Sequence, residues 1–449
     1  MQLKNKNVLV YGFGESGRGA IELLLKKKAK VYVYDDNVNV FCENFENCTK
    51  VNAITENLLK LIDLIVVNPS VSMKCENLKL AQILNKKIIS EIELGSNFSK
   101  GKIISVTGSN GKSTTVSLIQ HILSFTGKKS SLVGNIGKSF AEEVSKNPKQ
   151  TFVVEVSSFQ LESSNKYKTD IACFLNFCEN HLDRHFSLKE YFETKKKIFL
   201  NQSRHGFAIL NFDDENVKEI KPKAKTFYFS LKSKVNGCYI SSDKIYFKNN
   251  SRIIEVINLS DIKLKGEHNL QNVLCAVLVA KLLKIKNQVI KSAISSFYGL
   301  EHRIEFVKKI DGISFYNDSK STTVKSTKTA LQCFKDNKVL LILGGSDKNC
   351  NFNELFPMPK CVKKIFAIGE VKDKLLLIAK QNNFNNIEAF DNFSLMTSAS
   401  FSVSKSENLD VVLLSPATAS FDMFKNFEQR GEVFKNLVEG IESEKENKF

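Results

Sequence analysis

The sequence predicts an α/β protein of three domains: a Rossmann-like N-terminal domain, a central phosphate-loop domain with a mostly parallel sheet, and a Rossmann-like C-terminal domain. Three observations predict it. Short apolar, β-branched runs alternate with helical patterns along the chain, among them "NVLVY", "KVYVYD", "LIDLIVVN", "KIISVT", "TFVVEVS", "IACFLNF", "KVLLILGG" and "LDVVLLSP". Strands that are apolar on both faces and separated by helices form parallel sheets covered on both sides. Glycine or polar clusters follow directly after these runs, at the edge where open α/β sheets bind ligands. The length of 449 residues suits about three domains of ordinary size.

Two seams divide the chain, "ELGSNFSKGK" at 93–102 and "SSFYGLEHRIEFV" at 295–307. The expected domains are therefore 1–93, 94–298 and 299–449. Within the second, "TFYFS", "GCYISSDKIYFKNN" and "RIIEVINL" read as short antiparallel strands, followed by the apolar helix "NLQNVLCAVLVAKLLK".

Composition excludes several classes of function. Hydrophobic residues at 42% and charged ones at 25% are ordinary for a globular enzyme. No apolar run approaches the roughly 18 residues of a membrane span. The N-terminal "MQLKNKNVLVYGFG" has too short an apolar core for a secretory signal, so a cytoplasmic protein without membrane insertion is expected. Ten cysteines form no C-x-x-C pair, which favours free buried thiols in a reducing compartment. The net charge of +17 invites a nucleic-acid reading, but the lysines are scattered among asparagines without aromatic or arginine clusters. No nucleic-acid partner is expected; the charge suits anionic small substrates instead.

The elements that carry chemistry follow in order. "VLVYGFGESGRGA" places Gly12, Gly14 and Gly17 after a strand, and Asp35 ends the next strand. Glycines there let a diphosphate approach a helix N-terminus while the acid holds a ribose hydroxyl, which fits NAD, FAD or UDP alike. "KIISVTGSNGKSTTVSLIQHIL" is a strand, a loop of Gly108, Ser109, Asn110 and Gly111, and a helix. Backbone N–H groups, the Lys112 ammonium and the hydroxyls of Ser113 and Thr114 would surround a phosphate and its Mg²⁺. The loop is two residues shorter than the common one, since Val106 stands where that loop has its first glycine. A glycine turn that happens to carry a lysine is the plainer alternative.

Glu155 ends the apolar strand "TFVVEVSS", where a carboxylate serves a metal or caps the next helix. His181 follows another strand in "NFCENHLDRH" and reads as a metal ligand or a solvated loop residue. On spacing alone Lys195, Lys196 and Lys197 are a charged helix face. Asn269 and Asn272 share one helix face, with Asn269 a possible N-cap. Phe421, Phe424 and Phe427 have helical spacing and read as core.

With "EVSSFQLE", "NHLDRH", "EHRIE", "NDSKSTT", "GGSDK" and "SPATASFDMFKNFEQRG", these motifs make the chain resemble the Mur ligase family from Gly12 to Arg430. Those ATP-dependent enzymes build the peptide stem of bacterial peptidoglycan, and the short "TGSNGKST" loop is their signature. The last motif looks most like the D-glutamate-adding members. The resemblance implies ATP, UDP-N-acetylmuramoyl-L-alanine and D-glutamate as small-molecule substrates, an acyl-phosphate intermediate, two Mg²⁺ ions, a carbamoylated lysine at Lys195, and a monomer.

By the same resemblance, Lys112 cradles the ATP β- and γ-phosphates, Ser113 and Glu155 serve one Mg²⁺, and His181 serves the second. The Lys195 carbamate orients metal and phosphate. Gly108, Ser109, Asn110, Gly111 and Thr114 complete the ATP loop, and Asn269, Asn272, Arg303 and Asp318 hold adenine, phosphate and ribose. Asn135 and Ser157 face the muramoyl-alanine; Thr322, Lys348, Ser420 and Phe427 hold D-glutamate; Gly14, Glu15, Ser16 and Asp35 meet UDP. "NPSVS" at 68–72 and Asn37 depart from the family's Ser-Pro-Gly and arginine. Another Mur-type ligase, a folylpolyglutamate synthase and an NAD-dependent oxidoreductase are the rival readings.

Overall fold

The computed structural model describes residues 1–37, 47–179, 184–347 and 350–441. The chain divides into two compact units, Met1–Lys263 with Glu267–Phe297, and Leu264–Gly266 with Tyr298–Phe449.

The first unit holds two sheets. β1 (Asn7–Tyr11), β2 (Lys30–Tyr34), β3 (Cys48–Lys50), β4 (Leu64–Val67) and β5 (Lys87–Ser90) form a parallel sheet in the order β3-β2-β1-β4-β5. That order reverses between β1 and β4, which opens a ligand crevice at their C-terminal ends. Alternate side chains point to opposite faces. Val8, Val10, Val31 and Val33 therefore join one core, and Leu9, Tyr11, Ile65 and Val67 another.

The second sheet contains β6 (Ile103–Thr107), β7 (Ser130–Gly134), β8 (Thr151–Glu155), β9 (Ile171–Phe174), β10 (Phe207–Asn211), β11 (Lys225–Ser230), β12 (Gly237–Ser241), β13 (Lys244–Asn249) and β14 (Arg252–Asn258). Its order is β14-β13-β12-β11-β10-β9-β6-β8-β7. The antiparallel reading holds for β12, β13 and β14 but not for β11. "TFYFS" runs parallel to both neighbours, its Phe227 and Phe229 buried in the way of a central strand.

The first seam read from the sequence is a helix, Glu91–Phe98, with Glu91 to Ser96 buried. Glu91 Oε1 accepts from the Ser139 hydroxyl and the Ala141 amide, both at 2.6 Å. Burial pushes this carboxyl up to about 6. Glu93 Oε2 accepts from the amides of Asn165 and Lys166 at 2.6 and 2.8 Å. Each acid satisfies backbone donors of the neighbouring sheet's connections, which explains carboxylates inside a core.

The second unit is a six-stranded sheet of β15 (Glu305–Ile310), β16 (Ile313–Asn317), β17 (Val339–Gly344), β18 (Val362–Ile368), β19 (Ile387–Phe390) and β20 (Val411–Leu414), ordered β15-β16-β20-β17-β18-β19. Only β15 pairs antiparallel. Leu341 and Leu343 point into one core, Leu340 and Ile342 into the other. Among the described residues no helix is long and apolar enough to cross a membrane. Of the cysteines described as free, Cys173, Cys238, Cys275 and Cys361 are buried, whereas Cys178 is exposed.

Candidate active site

At the first sheet's crevice, β1 runs into the helix Glu15–Lys26, with Gly14 as its N-cap. A Cβ on Gly17 would collide with the Gly12 carbonyl, so only glycine lets this helix pack so close. Asp35 Oδ2 accepts from the Phe13 amide at 2.7 Å and Oδ1 from the Asn37 amide at 2.9 Å. Its carboxylate therefore shapes the glycine loop itself. Gly14 and Glu15 are exposed and Ser16 is half-buried beside them. From the β4 side, Asn68 Oδ1 accepts from the amide and hydroxyl of Ser70 at 3.0 and 2.9 Å. That turn accommodates serine where the family favours glycine.

The central loop lies between β9 and β8 in the sheet. Gly111 takes φ +81° ahead of the helix Lys112–Ser124, and a Cβ there would collide with Asn272 Oδ1. The Asn110 amide donates to Asn176 Oδ1 at 2.8 Å, and Asn176 Nδ2 returns a bond to the Asn110 carbonyl at 3.1 Å. Ser109 Oγ donates to the Cys178 carbonyl and accepts from its amide, both at 3.0 Å. Lys112 Nζ donates to the carbonyls of Gly108 and Ser109 at 2.9 and 3.0 Å. Ser113 is half-buried and Thr114 buried on the first helical turn. Thr115 Oγ1 donates to Asn272 Oδ1 at 3.2 Å, and Asn272 Nδ2 reaches Asn269 Oδ1 at 3.2 Å. Both asparagines thus stand on the helix Glu267–Leu282 against the loop.

Three further predicted groups converge here. Glu155 ends β8, and its Oε1 accepts from Asn135 Nδ2 at 2.8 Å. Oε2 is buried with no hydrogen-bond partner among the described residues. Glu91 Oε2 and Glu93 Oε1 are left likewise, but Glu155 stands beside the glycine loop, where a carboxylate oxygen with free lone pairs fits a divalent metal. Lys195, 1% exposed, donates to the Gly108 carbonyl at 2.9 Å, its Nζ 4.7 Å from the Tyr191 ring centroid. Burial, reinforced by the Lys112 ammonium, pushes its amine down to about 6. Lys195 is thus neutral near pH 7, the form that adds CO₂. Ser157 has a second duty as N-cap of the helix Ser158–Glu162, in a capping box with Gln160. His181 and Lys348 lie outside the described residues.

The second unit gathers its described predicted residues near the C-terminal ends of β16 and β20. Asp318 Oδ2 accepts from the Ser415 hydroxyl at 2.7 Å and Oδ1 from the Ile304 amide at 3.2 Å. Burial pushes its carboxyl up to about 6. Arg303 is exposed beside it and Thr322 half-buried. Ser420 is buried. Phe427 opens the helix Phe427–Glu439, whose N-cap is Asn426. Phe421 and Phe424 precede that cap, so the helical spacing read from the sequence does not place the three rings on one helix. Glu301, His302 and Glu432 offer ligand atoms close together, yet Lys435 already pairs with both acids, at 3.3 and 2.8 Å.

Arg430 has no role in the sequence reading and is the largest fully buried side chain described. Its Nε donates to Ser319 Oγ at 2.9 Å, Nη2 to the carbonyls of Ser319 and Thr418 at 2.9 and 3.0 Å, and Nη1 to those of Gly344 and Ala419 at 3.4 and 3.2 Å. One guanidinium thus ties "NDSKSTT", "GGSDK" and "SPATAS" together. Asn176 was also missed, although its place just after β9 is the signal that marked the other loops.

The Mur ligase middle domain family matches residues 106–280. The UDP-N-acetylmuramoylalanine–D-glutamate ligase of Thermoanaerobacter sp. is 38% identical over 450 residues, spanning 98% of this chain and 99% of the relative. The ligase of the same name from Clostridioides difficile is 37% identical over 459 residues, spanning 98% and 100%. The chain belongs to this ligase family. Solved Mur ligases share the fold. The UDP-N-acetylmuramate–alanine ligase of Thermotoga maritima superposes with a TM-score of 0.59 at 16% identity, covering 96% of this chain and 99% of that one. The MurF ligase of the same organism, solved with ADP, gives 0.58 at 16% identity, covering 98% and 96%. Mur ligases use ATP, and the matched middle domain spans the short glycine loop that follows β6.

Proposed function

We propose that this ligase forms an amide between the terminal carboxylate of UDP-N-acetylmuramoyl-L-alanine and the amine of D-glutamate, in the cytoplasm and as a monomer. The observation that carries the reading is Glu155, Asn135, Lys112 and Lys195 converging from successive strand ends and one helix onto a nucleotide loop. A carboxylate is a poor acylating agent. An oxygen of that carboxylate attacks the γ-phosphorus, ADP departs, and an acyl phosphate forms. The amine then attacks the acyl carbon, the C–O bond to phosphate breaks, and the nitrogen sheds a proton as the amide appears. Bringing two anions together demands fixed positive charge and donors.

Lys112 supplies an ammonium to the transferring phosphoryl group and exchanges its two loop carbonyls for phosphate oxygens. Asn135 holds Glu155 in place and presents its amide toward the muramoyl side with Ser157. Ser113, Glu155, His181 and a carbamate on Lys195 would hold two Mg²⁺ ions, which neutralise phosphate charge and draw the carboxylate toward phosphorus when bound. Asn269, Asn272, Arg303 and Asp318 serve adenosine. Gly14, Glu15, Ser16 and Asp35 serve UDP from a domain ending near 93, and Thr322, Lys348, Ser420 and Phe427 serve D-glutamate from one beginning near 299.

With substrate labelled by ¹⁸O in the reacting carboxylate, released phosphate should carry one label per turnover. Unlabelled phosphate would refute the acyl phosphate. Turnover should require D-glutamate over L-glutamate, L-alanine and lysine. Lys348→Ala should raise the KM for the amino acid far more than that for ATP; the opposite pattern would misplace the pocket.

A further inference from the structure

Two cations join the edge of the first sheet to the helices of the second, and neither belongs to the residues assigned above. Arg184, with its side chain 13% exposed, donates from Nε and Nη2 to Glu162 Oε2 at 3.1 and 2.9 Å. From Nη1 and Nη2 it also donates to the carbonyls of Ser70 and Val71 at 3.2 and 2.9 Å. The guanidinium lies 4.4 Å from the Phe159 ring centroid. Lys74 reciprocates: its Nζ donates to the Arg184 carbonyl at 3.2 Å, pairs with Glu190 at 3.4 Å and lies 3.3 Å from the Phe186 ring centroid.

The groups on either side give the clamp its meaning. Ser70 and Val71 belong to the β4 loop whose Asn68 packs on Gly12 and Gly14. Glu162 and Phe159 belong to the helix Ser158–Glu162, which begins three residues after Glu155. The Glu162 carbonyl accepts from Lys197 Nζ at 2.9 Å, and Glu190 sits on the helix Leu188–Lys196 that carries Lys195. A planar fork that satisfies a carboxylate and two carbonyls at once cannot shift one partner without disturbing the other. The contacts therefore run unbroken from the glycine loop to the helix that follows Glu155 and to the helix that carries Lys195.

We propose that Arg184 is a positioning residue that makes the phosphoryl-transfer centre depend on occupancy of the nucleotide-sugar crevice. A diphosphate settled on the Gly12–Gly14 loop fixes Asn68 to Val71, and the guanidinium passes that order to the helix after Glu155. Binding energy gathered by the uridine end, remote from the chemistry, is thereby spent on rate and not only on affinity. The inference rests on reading the first sheet's crevice as the UDP site.

The test compares UDP-N-acetylmuramoyl-L-alanine with 1-phospho-N-acetylmuramoyl-L-alanine, which lacks the uridine phosphate. Wild-type kcat should drop about tenfold on the truncated substrate. In Arg184→Gln the full substrate should fall to that level and truncation should then change kcat less than about twofold. Arg184→Lys keeps the charge and loses the fork, and should behave like the glutamine variant. Glu162→Gln keeps the arginine yet should weaken the same dependence, without adding to Arg184→Gln when combined. A variant that slows both substrates by the same factor would show a mere brace and overturn the proposal. Calorimetry of UDP with the wild-type ligase separates the two readings. UDP binding with equal slowing sinks only the coupling, whereas no UDP binding and no effect of truncation sinks the crevice assignment itself.

Discussion

Lys195 carries a cost that its neighbours Cys178 and Glu155 relieve only in part. Its amine titrates near 6 in the folded ligase against 10.5 when solvated, because burial and Lys112 both disfavour the ammonium. Between those two values the unfolded chain binds more protons, so this group makes unfolding free energy rise with pH and its penalty is fully present below about 6. Lys195→Met should raise the thermal midpoint at pH 7 while abolishing most turnover, and an unchanged midpoint would show that the amine is solvated. Lys195→Ala should lose at least about a hundredfold in kcat, partly restored by formate or acetate in the buffer. Undiminished turnover would leave this buried amine without a catalytic role. Asn135→Ala frees the one bonded oxygen of Glu155. It should raise the Mg²⁺ concentration for half-maximal activity about tenfold, read from a Mg²⁺ titration, and leave the thermal midpoint nearly unchanged.

At the scale of elements, Gly111 and Arg430 show two different limits of sequence reading. Gly111 was legible as a loop glycine between a strand and a helix because that turn is written in adjacent letters, whereas its left-handed φ is a finding of the structure. Gly111→Ala should abolish ADP binding by calorimetry while the far-ultraviolet circular dichroism stays native, since both the φ of +81° and Asn272 exclude a methyl group. Arg430 was illegible in role because its acceptors are the Ser319 hydroxyl and backbone carbonyls of three loops more than ten residues away, and no spacing rule points to them. Burial lowers its guanidinium to about 10 without a bonded carboxylate, which argues that the loops, and not a charge pair, are what it serves. Arg430→Met leaves buried acceptors unpaired at about 1–3 kcal/mol each, so the thermal midpoint should fall by several degrees and the KM for D-glutamate should rise. A normal KM would make the guanidinium purely structural. The strands were legible for the opposite reason: apolar runs of both-face burial announce parallel sheets. β11 was read with the wrong direction, because its edge-like alternation "TFYFS" does not show that a further parallel strand lies on each side, and the short β3, β5, β7, β10, β15 and β19 were not read as strands.

Across the whole molecule, the charge of +17 is spread along the chain and not gathered at one site. The proposed substrates of this ligase are anionic: a nucleotide sugar with a carboxylate, ATP, and an amino acid with two carboxylates. A diffuse positive field raises their encounter rate without contacting them and fades within a Debye length, about 10 Å at 0.1 M salt and 3 Å at 1 M. A site built from fixed contacts instead keeps its affinity at high salt, because buried charges are screened far less. The two contributions separate with exposed residues such as Lys128 and Lys129, which lie beyond the helix of the phosphate loop. The pair Lys128→Glu and Lys129→Glu should lower kcat/KM for the nucleotide sugar severalfold near 0.02 M salt and match wild type near 0.5 M, with kcat unchanged throughout. Equal constants for the pair and the wild type at low salt would mean that the positive excess does no steering. The composition would then speak only to solubility.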